Sequence, residues 1–117
     1  MTMTRRTFTK AAIASGLVPG FLRARGANDK LNIAMIGSGG RGMQTFPSFA
    51  GENIVAFCDI DSNANEKALS KVPSAKTYRD FRKLFDDAKL FDAVVVSTTE
   101  HTHYHATMLA LKAGKHV

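Results

Sequence analysis

Short apolar runs alternate along the chain with stretches whose apolar residues recur at helical spacing. Leu31 to Ile36 is a mostly apolar run of strand length, followed at once by glycines and then by a segment that can be helical from Arg41 onward. Asn53 to Cys58 reads as a second strand, and Asn63 to Val72 has helical spacing that Pro73 ends. Ala75 to Tyr78 is a short third strand. Arg79 to Asp87 places Phe81, Leu84 and Phe85 on one helical face, the pattern of core packing. Phe91 to Val96 is apolar on both faces, as a central parallel strand requires. A further helix is expected from about His103 to Ala113, closed by Gly114, with a fifth strand beginning at Lys115. This order predicts an α/β domain built on a doubly wound parallel sheet, incomplete at its fifth strand.

The connection after the first strand carries Gly37, Gly39 and Gly42 in the spacing Gly-x-Gly-x-x-Gly. In a strand, turn, helix setting the first glycine turns tightly, the second admits a pyrophosphate to the backbone, and the third lets helix pack on strand. The loop from Gly37 through Ser38, Gly39, Gly40 and Arg41 to Gly42 is therefore a candidate phosphate cradle of Rossmann type. The helix N-terminus offers unpaired N–H groups there, and Arg41 stands within reach of phosphate or ribose. No Gly-Lys-Ser/Thr follows, which excludes the phosphate loop of nucleoside triphosphatases. Alone, the glycine spacing is a weak signal. Asp59 strengthens it, closing the second strand 22 positions after Gly37, where an acid accepts hydrogen bonds from the adenosine ribose hydroxyls. Its charge repels a 2′-phosphate and no Arg or Lys directly follows it, so NAD is favoured over NADP; Arg41 argues the other way. A competing role for Asp59 is to cap the next helix, which Asp61 or Ser62 fills as well.

Composition, 44% hydrophobic and 22% charged over 117 residues, is that of one ordinary globular domain. The net charge of +6 would suggest a nucleic-acid partner, but it is concentrated at one end. Residues 1–30 hold six basic side chains against Asp29 alone, whereas the other 87 carry 10 basic and 9 acidic groups. The folded part offers no phosphate-tracking stripe, so no nucleic-acid partner is expected. Residues 1–27 instead divide into a basic start, an apolar stretch and a small-residue tail, the layout of an export signal. About 12 apolar residues broken by Gly16, Pro19 and Gly20 are too few to cross a hydrocarbon core roughly 30 Å thick, so no stable membrane anchor is expected. The stretch Thr4-Arg5-Arg6-Thr7-Phe8-Thr9-Lys10 resembles a twin-arginine signal, with Thr9 where leucine is usual. Export to the periplasm by that route carries a folded protein, which suits a chain that captures its cofactor in the cytoplasm.

One cysteine, Cys58, permits no internal disulfide and reads as core rather than reactive. His101, His103 and His105 follow the central strand at the sheet edge where ligands bind. Residues two apart on a helix do not face each other, so a shared metal is disfavoured.

The glycine motif, Cys58-Asp59-Ile60-Asp61, the run from Tyr78 to Asp87 and the stretch from Phe91 to Val117 resemble the N-terminal domain of the Gfo/Idh/MocA oxidoreductases. That family includes glucose-fructose oxidoreductase and inositol dehydrogenase. The resemblance runs from about Leu31 to Val117 and implies a 28–117 dinucleotide-binding domain. It assigns Gly37, Gly39 and Gly42 to the pyrophosphate and Asp59 to the ribose, and lays the turn Ser97-Thr98-Thr99-Glu100 against the cofactor. His103 matches the family's histidine at the start of the following helix. The family usually has Thr-Pro-Asn or Thr-Pro-Asp where this chain has Thr98-Thr99-Glu100. In the family the strand beginning Gly-Lys-His-Val continues into Glu-Lys-Pro, whose lysine is catalytic, and a second α+β domain holds the substrate. The resemblance thus implies a chain that stops before the catalytic lysine and has no substrate domain.

The expected function is the nucleotide-binding half of an NAD(P)-dependent oxidoreductase acting on a sugar, cyclitol or similar polyol. Its partner is a nicotinamide dinucleotide, with the small-molecule substrate met only in a full-length parent. A non-catalytic dinucleotide-binding module or sensor is the alternative. A methyltransferase is disfavoured because Ala34-Met35-Ile36 lacks the acid such enzymes carry before the first glycine. A sheet edge left open at the fifth strand favours self-association.

Overall fold

The structure, a computed structural model, describes residues 29–117; the leader expected over residues 1–27 lies outside the described residues. Four strands, β1 (Asn32–Ile36), β2 (Asn53–Cys58), β3 (Lys76–Tyr78) and β4 (Ala93–Val96), form one parallel sheet in the order β3-β2-β1-β4. Helix α1 (Gly40–Thr45) runs into a 3-10 turn at Phe46–Phe49, with Pro47 in its first turn. Helix α2 (Ser62–Lys71) joins β2 to β3, α3 (Phe81–Asp86) and a 3-10 turn at Ala88–Leu90 join β3 to β4, and α4 (Glu100–Lys112) follows β4.

Each face of the sheet has its own core. Ile33, Met35, Ile54 and Phe57 pack with Ala68 of α2 and with Met43, Phe46 and Phe49. Ala34, Ile36, Ala56, Cys58 and Val94 pack on the opposite face with Leu84 of α3 and with Ala106 and Ala110 of α4. Ile54 and Phe57 share a face although they are three apart, because the β1 to β2 register jumps from Ile54 to Ala56. The extra residue, Val55, is a bulge that turns the rest of β2 over by one position. Without it Cys58 and Asp59 would exchange faces at the end of the strand.

The helices begin where short acids supply acceptors. Asp61 takes the N–H of Asn63 at 2.9 Å at the start of α2, so Asp61 rather than Asp59 is that helix's cap. Asp80 takes the N–H of Arg82 at the start of α3 and also holds its guanidinium at 2.8 Å. That hydrogen-bonded pairing holds the Asp80 carboxyl below its ordinary range. Helix α4 starts at Glu100, three residues before the expected His103, with Thr99 as its cap. β4 starts at Ala93, two residues after the expected Phe91; Phe91 is extended but lies outside the ladder, its ring buried edge-on against Phe85 at 5.7 Å. β3 starts at Lys76, one residue late. The fifth strand is present as a single parallel bridge from Ala93 to His116, whose N–H reaches the Asp92 carbonyl at 3.1 Å.

Strands are added outward from β1 through β2 to β3, and then the chain returns to the other side of β1 for β4. The loops leaving β1 and β4 therefore diverge side by side. Open α/β sheets bind ligands at such a switch point.

Candidate functional site

A cleft of about 480 Å³ opens between those two loops. Gly37 forms its floor with φ of +90°, a conformation that favours glycine, and its N–H donates to the Cys58 carbonyl at 2.7 Å. A Cβ at Gly37 would lie 2.7 Å from the carbonyl carbon and oxygen of Ser97, so the β1 and β4 loops touch backbone to backbone. Gly42 is buried, and a Cβ there would lie 1.9 Å from the Gly37 oxygen. Gly39 is extended and lines the cleft, its Cβ position 3.3 Å from Ala64 Cβ and 3.6 Å from Asp59 Oδ2. Each glycine thus stands where the loop leaves no room or must stay low.

Asp59 reaches across from β2 to this loop. Its Oδ2 accepts the N–H groups of Ser38 at 2.9 Å and Gly39 at 3.1 Å, while Oδ1 accepts the N–H of Asp61 at 3.0 Å. A carboxylate has about four acceptor sites, so capacity remains toward the cleft that Asp59 lines. Helix α1 opens with no side-chain cap and no acid in its first turn. Its first N–H groups, with Gly40 and Arg41 at the cleft wall, are free of a competing side-chain acceptor.

From the other side, Ser97, Thr98 and Thr99 line the cleft. Thr99 has φ of −68°, the value a proline would impose, although the chain has none here. Side chains from α4 hold the turn instead. Thr102 Oγ1 lies 2.7 Å from Thr98 Oγ1 and 2.8 Å from the Thr99 carbonyl oxygen, and His103 Nε2 lies 2.8 Å from the Thr98 carbonyl oxygen. The rigidity that sequence alone leaves unexplained is therefore supplied by two α4 residues.

Not every expected residue faces the cleft. Ser38 is fully buried and its hydroxyl donates to Asn65 Oδ1 at 2.9 Å; Gly42 lies beneath Gly37; Glu100 is exposed in the first turn of α4. His103 lines a separate hollow over β1 and β4, with Ile33, Val96 and His116. His101 and Thr102 line the cleft in its place. The alternating histidines point apart: His101 lies 3.4 Å from Thr99 Oγ1, His103 binds the turn, and His105 meets the Tyr104 ring edge-on. Among the described residues no group of three His, Cys, Asp or Glu side chains could hold a metal ion.

Sequence reasoning missed Ile60, Arg79, Phe81 and Asn65. The first three line the cleft, with Ile60 81% exposed and the Arg79 Nη2 donating to its carbonyl at 3.2 Å. Arg79 and Phe81 lie after β3, far in sequence from the glycine loop, and carry no local signal. Asn65 had one: it occupies a position on the apolar stripe of α2, in line with Ala68 and Leu69, where a polar residue needs partners. Cys58 also lines the cleft, but burial, aided by the charges of Asp59 and Asp80, pushes its thiol up to about 12. It stays a neutral thiol in the physiological range.

A glycine cradle that a Cβ would fill, uncapped N–H groups and a carboxylate at the end of β2 fit a dinucleotide. This fold and site define a dinucleotide-binding domain of Rossmann type. Residues 31–117 match the model of the Gfo/Idh/MocA oxidoreductases, described as an oxidoreductase family with an NAD-binding Rossmann fold, and the chain belongs to that family. A "Glycosyl hydrolase family 109 protein" of Solibacter usitatus is 33% identical over 97% of this chain and 32% of its own length. "Inositol 2-dehydrogenase 2" of Saccharopolyspora erythraea is 31% identical over 74% of this chain and 26% of its own length. Among solved structures, myo-inositol dehydrogenase from Lactobacillus casei in complex with NAD(H) and myo-inositol superposes with a TM-score of 0.67 at 30% identity, covering 74% of this chain and 26% of that one. The chain spans a third or less of the length of these relatives.

Proposed function

We propose that this domain binds NAD in preference to NADP and serves as the cofactor half of an oxidoreductase acting on a cyclitol, sugar or similar polyol. The observation that carries the reading is the convergence of Asp59 and the glycine loop: one carboxylate at the end of β2 both braces the loop and faces the cleft. The inositol dehydrogenases among the relatives support the substrate class.

When bound, NAD supplies a hydride acceptor at C4 of its nicotinamide ring. The chain's own residues bind and orient. Gly37 and Gly39 keep the loop low so that a pyrophosphate meets backbone rather than side chain, and the start of α1 offers it N–H groups. Asp59 accepts from ribose hydroxyls, and its negative charge disfavours a 2′-phosphate there. The turn from Ser97 to Thr99, held by Thr102 and His103, closes the far wall.

Titration calorimetry of the chain with NAD and NADP tests the cofactor assignment; tighter binding of NADP would overturn it. In a whole protein carrying this domain, polyol-dependent reduction of NAD tests the substrate class. A second reading is a glycosidase that keeps its nicotinamide cofactor, favoured by the hydrolase-named relative that matches 97% of the chain. It predicts sugar release from a glycoside without net formation of NADH. A non-catalytic sensor predicts neither.

The leader is proposed as a twin-arginine signal for export to the periplasm. Arg5→Lys with Arg6→Lys should then abolish export; unchanged periplasmic recovery would refute it.

A further inference from the structure

Asn65 sits at the first-turn end of α2, 5% exposed, and joins three segments that approach the cleft from different strands. Its Oδ1 accepts the Ser38 hydroxyl at 2.9 Å, which ties it to the glycine loop. Its Nδ2 donates to the Asp59 carbonyl at 3.0 Å and to the Tyr78 carbonyl at 2.9 Å, at the ends of β2 and β3. Both amide hydrogens are thereby used, and the Tyr78 carbonyl accepts the Asp59 N–H at 3.0 Å as well. The amide therefore holds the Asp59 backbone from one side while the Ser38 and Gly39 N–H groups hold its carboxylate from the other.

We propose that Asn65 is a positioning residue for the adenosine ribose: it does not line the cleft, but it fixes the Asp59 carboxylate against the glycine loop and thereby carries part of the preference for NAD over NADP. The inference rests on the dinucleotide reading above. An apolar residue at this position would pack on the α2 stripe beside Ala68 and Leu69. It would leave the Ser38 hydroxyl buried without its acceptor and the Asp59 backbone free to rotate its side chain away from the loop. The buried amide's bonds end on the glycine loop, on the Asp59 carbonyl and on the Tyr78 carbonyl that also accepts the Asp59 N–H, so its effect is directed at that carboxylate.

The test compares dissociation constants for NADH and NADPH, read from nicotinamide fluorescence, in the unmodified chain, Asn65→Ala, Ser38→Ala, Asp59→Ala and the double variant Asn65→Ala with Asp59→Ala. Asn65→Ala should weaken NADH binding about tenfold, the scale of losing hydrogen bonds that order a charged group, and should weaken NADPH binding much less. The ratio of the two constants should move toward that of Asp59→Ala, and the double variant should show no further change in ratio, because both substitutions remove the same discrimination. A merely structural role would weaken both dinucleotides equally and act additively with Asp59→Ala. Ser38→Ala removes only one arm of the network and should shift the ratio in the same direction by a smaller factor, which keeps the idea testable if Asn65→Ala does not fold. Binding of NADH with an unchanged ratio in the Asn65 and Ser38 variants overturns this inference alone. Failure of the unmodified chain to bind either dinucleotide overturns the dinucleotide reading and this inference with it.

Discussion

The carbonyl oxygen of Gly37 lies where a side chain on Gly42 would have to begin, 1.9 Å from the Cβ position. The first and third glycines of the loop are therefore one packing unit, and a methyl group at position 42 must push the loop off the helix. Gly42→Ala should cost about 2 to 3 kcal/mol of stability, as overpacking of a rigid backbone contact does, and should abolish NAD binding. Gly39→Ala meets Ala64 Cβ at 3.3 Å and Asp59 Oδ2 at 3.6 Å and should cost less than about 1 kcal/mol. Gly39→Val should keep the fold but remove the thermal shift given by either dinucleotide. Urea unfolding with and without NAD separates these outcomes; equal stability losses at positions 39 and 42 would contradict them.

Asp59 combines two jobs that substitution can separate. Asp59→Asn keeps one oxygen acceptor and removes the charge, so it should reduce NAD affinity less than Asp59→Ala while narrowing the gap to NADP. Asp59→Ala strips the Ser38 and Gly39 N–H groups of their acceptor and should also loosen the loop. Calorimetry with both dinucleotides checks this, and an unaltered NAD preference in Asp59→Asn would show that charge at this site does not discriminate.

Alkaline pH should erode stability in a defined window. Burial and, next, the Asp59 and Asp80 charges raise the Cys58 thiol from 9.0 to about 12; burial and the Asp87 hydrogen bond raise the Tyr78 phenol from 10.0 to about 12. Between those limits the folded state holds protons that the unfolded state has released, so stability falls as pH rises, by no more than about 1.4 kcal/mol per pH unit for the buried Cys58 thiol and by less for Tyr78, whose bond to Asp87 is exposed to solvent. Cys58→Ala should flatten the decline that begins near pH 9. The native thiol should also resist alkylation at neutral pH until denaturant is added.

Thr99 already has the backbone φ of a proline, −68°. Thr99→Pro should therefore stabilise the domain by about 0.4 to 1 kcal/mol through the unfolded chain, raising Tm by several degrees. A drop in Tm would mean that the Thr99 side chain or N–H matters more than the freedom it has when unfolded.

How much of this molecule is legible in the sequence depends on how local each cause is. β2 can be read to the residue because a polar Asn53 and the acid Asp59 bracket an apolar run. The glycine spacing and Asp59 likewise announce a loop and an acceptor that meet in one cleft. The early start of α4 is less visible, since Thr98-Thr99 lacks the proline that would mark a boundary and its geometry comes from Thr102 and His103 beyond it. Phe91 reads as strand but leaves the ladder because its ring is drawn into the core beside Phe85. Arg79 and Ile60 reach the cleft only because β2 and β3 end side by side, a fact of tertiary register. The Val55 bulge, which decides the face on which Asp59 emerges, has no sequence signature at all.

The placement of β1 between β2 and β4 also makes the cleft depend on a long-range pairing. Its pairing with β4 joins residues sixty positions apart, such as Ala34 with Val94, and parallel strands cannot meet through a tight turn. Closing so long a loop is slow, so a chain that has paired only β1 with β2 has a glycine loop but no Ser97 backbone packed against Gly37. Half of the cleft's wall arrives with the last strand. A dinucleotide therefore finds both walls of its site only once β4 is paired, and its capture reports that this long-range contact has formed.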